Sequence, residues 1–211
     1  MKGVLVAIGR RFARLTTNVV IRRPLLWRLF RPLMRKQFDA IASEWDAMRL
    51  PDTFASYEAA LAAVDPAPAR ALDLGTGTGH GAFLIARRFP NAEIVGGDIS
   101  DGMLAEARKR TPPELSGRVR FEHVDASALP YGDGSFELVA HANMIPFFDE
   151  VARVLAPGGQ TLFAFSSGAE TPIYVPSERL RTELARRGFT DFADFTVARG
   201  TALLARKGDR A

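Results

Sequence analysis

From residue 66 onward the apolar positions of the chain alternate between two rhythms. Short apolar or alternating runs, Ala71-Leu72-x-Leu74, Ala92–Asp98, Arg118–Val124, Phe136–Ala140 and Gln160–Phe165, read as strands. Between them, apolar residues three and four apart read as helices: Phe83–Phe89, the stretch after Ile99 to about Arg110, and Phe148–Leu155, which Ala156-Pro-Gly-Gly159 closes. Such alternation predicts an α/β domain with a parallel sheet, helices on both faces and a ligand at the carboxyl ends of the strands. Ser177–Arg187 is predicted as a further helix, with Ser177 as N-cap and Gly188 at C′. Phe189–Val197 and Thr201–Lys207 are predicted as a closing hairpin that turns at Arg199-Gly200.

Ahead of this domain the pattern is helical throughout. Phe54–Val64 reads as a helix ended by the Pro66/Pro68 linker, and Phe38, Ile41, Trp45 and Met48 fall three and four apart along Gln37–Met48. In Pro24–Lys36, Leu25, Leu26, Leu29, Phe30 and Leu33 can share one face and Arg28, Arg31 and Arg35 another, with a kink expected at Pro32. The chain thus divides into residues 1–36, a basic amphipathic segment; residues 37–65, a helical lid or cap; and residues 66–211, the α/β domain.

Charge sharpens this division. Residues 1–36 hold ten cations and no acid, while the remaining 175 residues hold 18 basic and 24 acidic side chains, so the net charge of +4 belongs to the N-terminal segment. A nucleic-acid surface on the α/β domain is not indicated, and no nucleic-acid partner is expected. No uncharged run approaches the ~18–20 residues needed to span a bilayer. A basic helix with Trp27 and Phe30 on its apolar side suits an anionic membrane surface; a lid packed on the core and a cleavable transit peptide are the other readings. The absence of cysteine excludes disulfides, thiolate metal sites and Cys nucleophiles and allows a reducing, cytoplasmic setting. The three histidines form no zinc pattern, so no metal is expected.

The chemistry is announced by the turn after the first strand. Asp73-x-Gly75-Thr76-Gly77-x-Gly79 places three glycines at every second position between a strand and a helix, where the chain must bend sharply and a ligand must reach backbone N–H groups. Gly77-x-Gly79-x-x-Ala82 also fits the dinucleotide fingerprint, but an acid two residues before the first glycine would repel a pyrophosphate and suits a ligand with an ammonium and a sulfonium. A plain tight turn without ligand is the bland alternative. Asp98, 21 residues after Gly77 at the end of the second strand, stands where such folds take ribose hydroxyls.

These residues resemble the class I S-adenosylmethionine (SAM) methyltransferases of the methyltransferase-11 type, similar to the ubiquinone/menaquinone C-methyltransferases. The resemblance runs over about residues 37–207 and is strongest at 69–103 and 118–165. It rests on the Asp73–Gly79 motif, on Phe38-Asp39-x-Ile41-Ala42-x-x-Trp45-Asp46, on Pro130–Val139 and on Val151-x-Arg153-Val154-Leu155-x-Pro157-Gly158-Gly159. It implies a Rossmann-like seven-stranded sheet, mostly parallel with an antiparallel last strand. It also implies SAM as cofactor, with Asp73, Gly75, Thr76, Gly77 and Gly79 around the methionine part. Asp98 and Ile99 would lie at the ribose, Met103 on the ring, and Asp125 and Ala126 at the adenine amino edge. Trp45 would be a lid residue.

The implied activity is SAM-dependent methylation of a small-molecule or lipid-like acceptor at O, C or N; the basic pattern of residues 1–36 adds the peripheral membrane position as an expectation. A non-catalytic SAM-binding accessory or regulatory protein is the alternative. Asn143-Met-Ile-Pro146-Phe147 lacks the adjacency with which amino methyltransferases grip a planar amine, so that activity does not carry over. His141, at the end of the fourth strand, is the candidate catalytic base because its ordinary pKa of ~6.5 suits proton abstraction at neutral pH.

Overall fold

A computed structural model describes residues 2–209; the side chains of Lys2, Val4, Leu5, Val6, Ile8 and Arg10 of the basic segment lie outside the described set. Seven strands form one sheet: β1 (Arg70–Leu74), β2 (Glu93–Asp98), β3 (Val119–His123), β4 (Phe136–Ala142), β5 (Leu155–Phe165), β6 (Phe189–Val197) and β7 (Gly200–Lys207). Their order is β3-β2-β1-β4-β5-β7-β6. Strands β1 to β5 pair in parallel, and β7 is inserted antiparallel between β5 and β6. The chain moves outward one way through β2 and β3 and the other way through β4, so the crevice between the ends of β1 and β4 is the switch point at which ligands bind.

Before this sheet come α1 (Lys2–Arg22), α2 (Trp27–Ile41) and α3 (Ala55–Ala62). Helices α4 (His80–Arg88), α5 (Asp101–Arg110), α6 (Phe148–Val154) and α7 (Ser177–Ala185) alternate with the strands. Under α3, α4 and α5 the sheet buries Ala71, Ile94, Leu138 and Leu162 against Tyr57, Leu61, Ile85 and Leu104. Its other face buries Leu72, Val139 and Phe163 against Val151, Leu180 and Leu184 of α6 and α7. The N-terminal helices build a third cluster in which Val20, Trp27 and Met34 cover Ile145 and Phe147, residues of the loop that follows β4. No helix among the described residues is long and apolar enough to cross a membrane.

Several local expectations change. The helix runs through Pro32, because Trp27 and Met34 on either side of it are anchored in the same cluster. Residues 42–48 tighten into a 3₁₀ segment instead of extending the α-helix, and Met48 points to solvent. Ser177 is the first helical residue and Pro176 the cap, since the Ser177 hydroxyl is spent on Asp194 at 2.5 Å. Strand β5 already starts at Leu155, opposite Phe136, and the final hairpin turns at Ala198-Arg199 because Gly200 pairs with Val197.

Candidate cofactor site

At the end of β1 the chain turns through Gly75, Gly77 and Gly79 with φ of +73°, +54° and +89°. Gly75 is confined by more than its dihedral, because a Cβ there would stand 2.7 Å from Met144 Sδ of the post-β4 loop. Asp73 supports the turn from inside. Its carboxylate, 2% exposed, accepts from Thr76 Oγ1 at 2.6 Å and Tyr57 OH at 3.3 Å, and a Cβ on Gly81 would press within 2.6 Å of it. Burial raises the Asp73 pKa to about 6 even though Thr76, Tyr57 and the Ala82 N–H favour the carboxylate. Burial and the Asp73 charge together push the Tyr57 hydroxyl well above its ordinary range.

Asp98 at the end of β2 closes the turn from the other side. Oδ2 accepts from the Gly77 N–H at 2.8 Å and Oδ1 from the Ser100 N–H at 2.9 Å, and burial raises its pKa. Two N–H donors leave lone pairs on both oxygens for further donors. Asp73, Gly75, Thr76, Gly77, Asp98, Ile99, Met103 and Ala126 line one cavity of about 180 Å³. Among the expected site residues, Gly79, Asp125 and His141 do not line it. Gly79 instead caps α4 in the left-handed conformation.

Helix α2 and the 3₁₀ segment roof this cavity through polar clamps. Asp39 accepts from Ser100 Oγ at 2.6 Å and the Gly102 N–H at 2.9 Å; the Ser100 hydroxyl, the Gly102 N–H and Arg35 hold its carboxyl below the usual range against partial desolvation. Asp46 accepts from Thr78 Oγ1 at 2.6 Å and pairs with Arg110 at 3.1 Å. Trp45 lines the cavity, with its Nε1 3.6 Å from where a Gly77 Cβ would stand, and its ring meets Phe38 edge to face at 5.6 Å. Trp27 Nε1 and Arg31 Nη1 reach Asp125 at 2.9 and 2.8 Å. Against the cost of its partial burial, donors from Ser127, Arg31 and Trp27 hold the Asp125 carboxyl below the usual range.

A family model described as a methyltransferase domain matches residues 71–159, from the middle of β1 into β5. Residues 71–159 are thus a methyltransferase domain, and the chain is similar to the class I SAM-dependent methyltransferases. It is 37% identical over 142 residues to the ubiquinone/menaquinone biosynthesis C-methyltransferase of Desulfotalea psychrophila, an alignment covering 61% of this chain and 56% of that one. It is 38% identical over 157 residues to a trans-aconitate 2-methyltransferase of Methylobacterium nodulans, covering 68% and 56%. The chain thus spans little more than half the length of these curated relatives. A putative methyltransferase of Haloferax volcanii, solved with the Trm112 methyltransferase activator, shares the fold at TM-score 0.68 and 18% identity over 81% of this chain and 97% of its own.

SAM, the cofactor of this methyltransferase family, fits the residues present. A backbone cradle whose glycine at 75 cannot carry a side chain borders a cavity lined by the buried Asp73, the half-buried Asp98 and Met103, 1% exposed. Much of the remaining lining is apolar: Met34, Phe38, Trp45, Ile145, Phe147 and Ile173. Among the described residues Arg49 is the one cation in the lining, and Asp46 holds it at 2.7 Å. Asn143 sits in the left-handed region with φ +53°, and its Oδ1 accepts from the Ser166 N–H at 2.9 Å, so that oxygen is committed to the backbone.

His141 is displaced from the role expected of it. Alternation along β4 turns it into the layer beneath α6 and α7, where it is 1% exposed and stacks on Phe163 at 4.3 Å. Neither ring nitrogen has a partner, and burial lowers its pKa to about 3. A base must reach the proton it takes, and His141 is outside the cavity. Tyr57, Arg31 and Met144 escaped sequence reasoning because each acts on a residue far away in the chain. Asp39 and Asp46 had a signal in the aromatic-Asp pattern of residues 38–46.

Proposed function

We propose that the protein transfers the methyl group of SAM to a small, largely apolar acceptor whose oxygen or carbon acid ionises without a protein base, and that it works at a membrane surface. The supporting observation is the composition of the cavity at the glycine turn. Turn and carboxylates are joined by a largely apolar lining, and among the described residues the lining acids, Asp73 and Asp98, are engaged in holding the turn. No histidine, lysine, cysteine or tyrosine lines it. The sulfonium supplies an already reactive methyl group, so the protein's part is alignment, a contribution that reaches ~7–11 kcal/mol in well-oriented reactions. The Asp73–Gly79 turn holds the methionine part, Asp98 the ribose hydroxyls, Met103 the ring face, and Ala126 and Asp125 the adenine edge. The acceptor's proton leaves to water before or as the methyl arrives.

A phenol, enol or activated carbon acid with an apolar tail fits this lining. Arg49 favours a second acceptor class, a carboxylate, which needs no base at all. The test is to incubate protein and SAM with a lipophilic quinol and with an apolar carboxylic acid and to follow S-adenosylhomocysteine and methylated product by mass spectrometry. One of the two is expected to gain a methyl group, and Asp98→Ala is expected to weaken SAM binding and lower turnover together. SAM binding without turnover on either class would favour the non-catalytic reading. The membrane part of the proposal rests on α2 and the 3₁₀ turn before it (Pro24–Leu26), where Leu25, Leu29 and Leu33 are 77%, 73% and 54% exposed, flanked by exposed Arg22, Arg23 and Arg28.

A further inference from the structure

The carboxylate of Asp125 is held by the chain itself. Asp125 Oδ1 receives the Ser127 N–H at 2.9 Å, the Ser127 hydroxyl at 2.7 Å and the Trp27 indole N–H at 2.9 Å, while Oδ2 receives Arg31 at 2.8 Å. Three donors crowd Oδ1, more than its two lone pairs can serve in full, and Arg31 holds one side of Oδ2. The two Ser127 donors are local, two residues along the chain, and stay wherever Asp125 goes. Those from Trp27 and Arg31 cross from α2.

Position argues the same way as the donor count. Asp98 and Ala126 line the main cavity, whereas Asp125 lines a separate outer cleft together with Arg31, Arg35 and His123; Ile99 lines both. Trp27 stands between the two. It lines the main cavity, is 6% exposed, meets Phe147 edge to face at 5.5 Å and donates outward to Asp125. An aromatic ring with one N–H aimed at this carboxylate is the chemistry that an adenine amino group would bring to it.

We propose that Trp27 and Arg31 are cofactor-site residues that compete with adenine for the Asp125 carboxylate, so that cofactor binding and docking of α2 oppose each other. This rests on the reading above that Asp125 takes the adenine amino group. Release of α2 opens the wall between cleft and cavity and relieves the crowding on Oδ1; α2 docked keeps the indole N–H on the oxygen and the indole itself in the path to it. By reciprocity, whatever factor the docked helix costs the cofactor, bound cofactor costs the helix.

The test is calorimetric binding of S-adenosylhomocysteine to the full chain. Trp27→Phe keeps a ring against Phe147 and removes the N–H; it is expected to tighten binding about tenfold, the scale of one hydrogen bond to a charged group. Arg31→Gln, half exposed, is expected to tighten it only ~2–3-fold. Unchanged or weaker binding in Trp27→Phe overturns the proposal and makes Trp27 a supporting wall. Asp125→Ala separates the two layers of the argument: if it leaves affinity unchanged, the adenine reading falls and the proposal with it. If it weakens binding while Trp27→Phe does not tighten it, only the competition falls. An independent readout is Trp27 fluorescence in Trp45→Phe. Ligand is expected to shift emission to longer wavelength and increase quenching by acrylamide as the indole leaves its buried contact; emission that stays buried at saturation overturns the release.

Discussion

Two buried titratable residues, His141 and Asp73, lie in opposite faces of the sheet and answer pH in opposite directions. His141 has a folded pKa of about 3 against an ordinary 6.5. Below pH 6.5 the unfolded chain therefore binds a proton that the folded chain refuses, and stability falls as pH drops toward 3. Asp73 has a folded pKa of about 6 against 3.8, so the folded chain takes up its proton first, and stability rises as pH falls through that interval. The two oppose each other between about pH 6 and 4. His141→Phe keeps the stack on Phe163, removes two unpartnered buried nitrogens and leaves Asp73 alone to act. Urea unfolding is expected to show the variant close to wild type at pH 7 and gaining roughly 2 kcal/mol on it at pH 5. A difference independent of pH would contradict the burial argument. The acids of the site were legible in the sequence because strand ends and glycine spacing mark their positions. Their partners were not, since Tyr57 and Trp27 reach Asp73 and Asp125 through tertiary packing that no local pattern encodes, and the side of β4 on which His141 falls depends on the phase of an alternation between two buried faces.

At the scale of the element, α2 is the clearest case of a segment whose existence is local and whose orientation is not. Apolar spacing announces a helix, and five leucine and phenylalanine residues over 25–33 share one face of that pattern. Yet Leu25, Leu29 and Leu33 face solvent and Trp27 and Met34 face the core, because the surface that receives them, Ile145 and Phe147, comes from the loop after β4. The helix is further fixed by Asp39, which bonds Ser100 and Gly102 at the start of α5. Asp39→Ala is expected to cost about 1 kcal/mol, the scale of a lost cap. Its effect should be local: hydrogen exchange should speed up over residues 27–48 and stay unchanged in β1, β4 and β5. Uniform acceleration across the sheet would mean that α2 does not open apart from the core.

The whole molecule combines a weakly acidic α/β body with a strongly basic pair of helices laid over the carboxyl ends of its strands. The α/β body was legible almost strand by strand, because alternating periods and glycine turns are local signals. How the basic helices sit on it was left open between membrane contact and packed lid, and the structure supplies the packed half: α2 turns Trp27 and Met34 inward and leaves its leucine ridge outward. Removing residues 1–36 is therefore a poor probe of membrane binding, because it would strip Ile145 and Phe147 of their cover as well. A ridge of three exposed leucines with exposed arginines beside it offers the two signals that stable peripheral binding requires: apolar insertion, and about 1 kcal/mol from each cation near an anionic surface. The full chain is expected to sediment with phosphatidylglycerol vesicles and not with phosphatidylcholine vesicles, and to lose this binding in 0.5 M salt, where charges are screened beyond about one ion-pair length. Leu25→Glu, Leu29→Glu and Leu33→Glu together should abolish sedimentation while S-adenosylhomocysteine affinity is retained, since all three side chains point away from the cavity. Vesicle binding by the triple variant equal to that of the wild-type chain would refute the ridge as the membrane contact and leave the leucines as a surface for another protein.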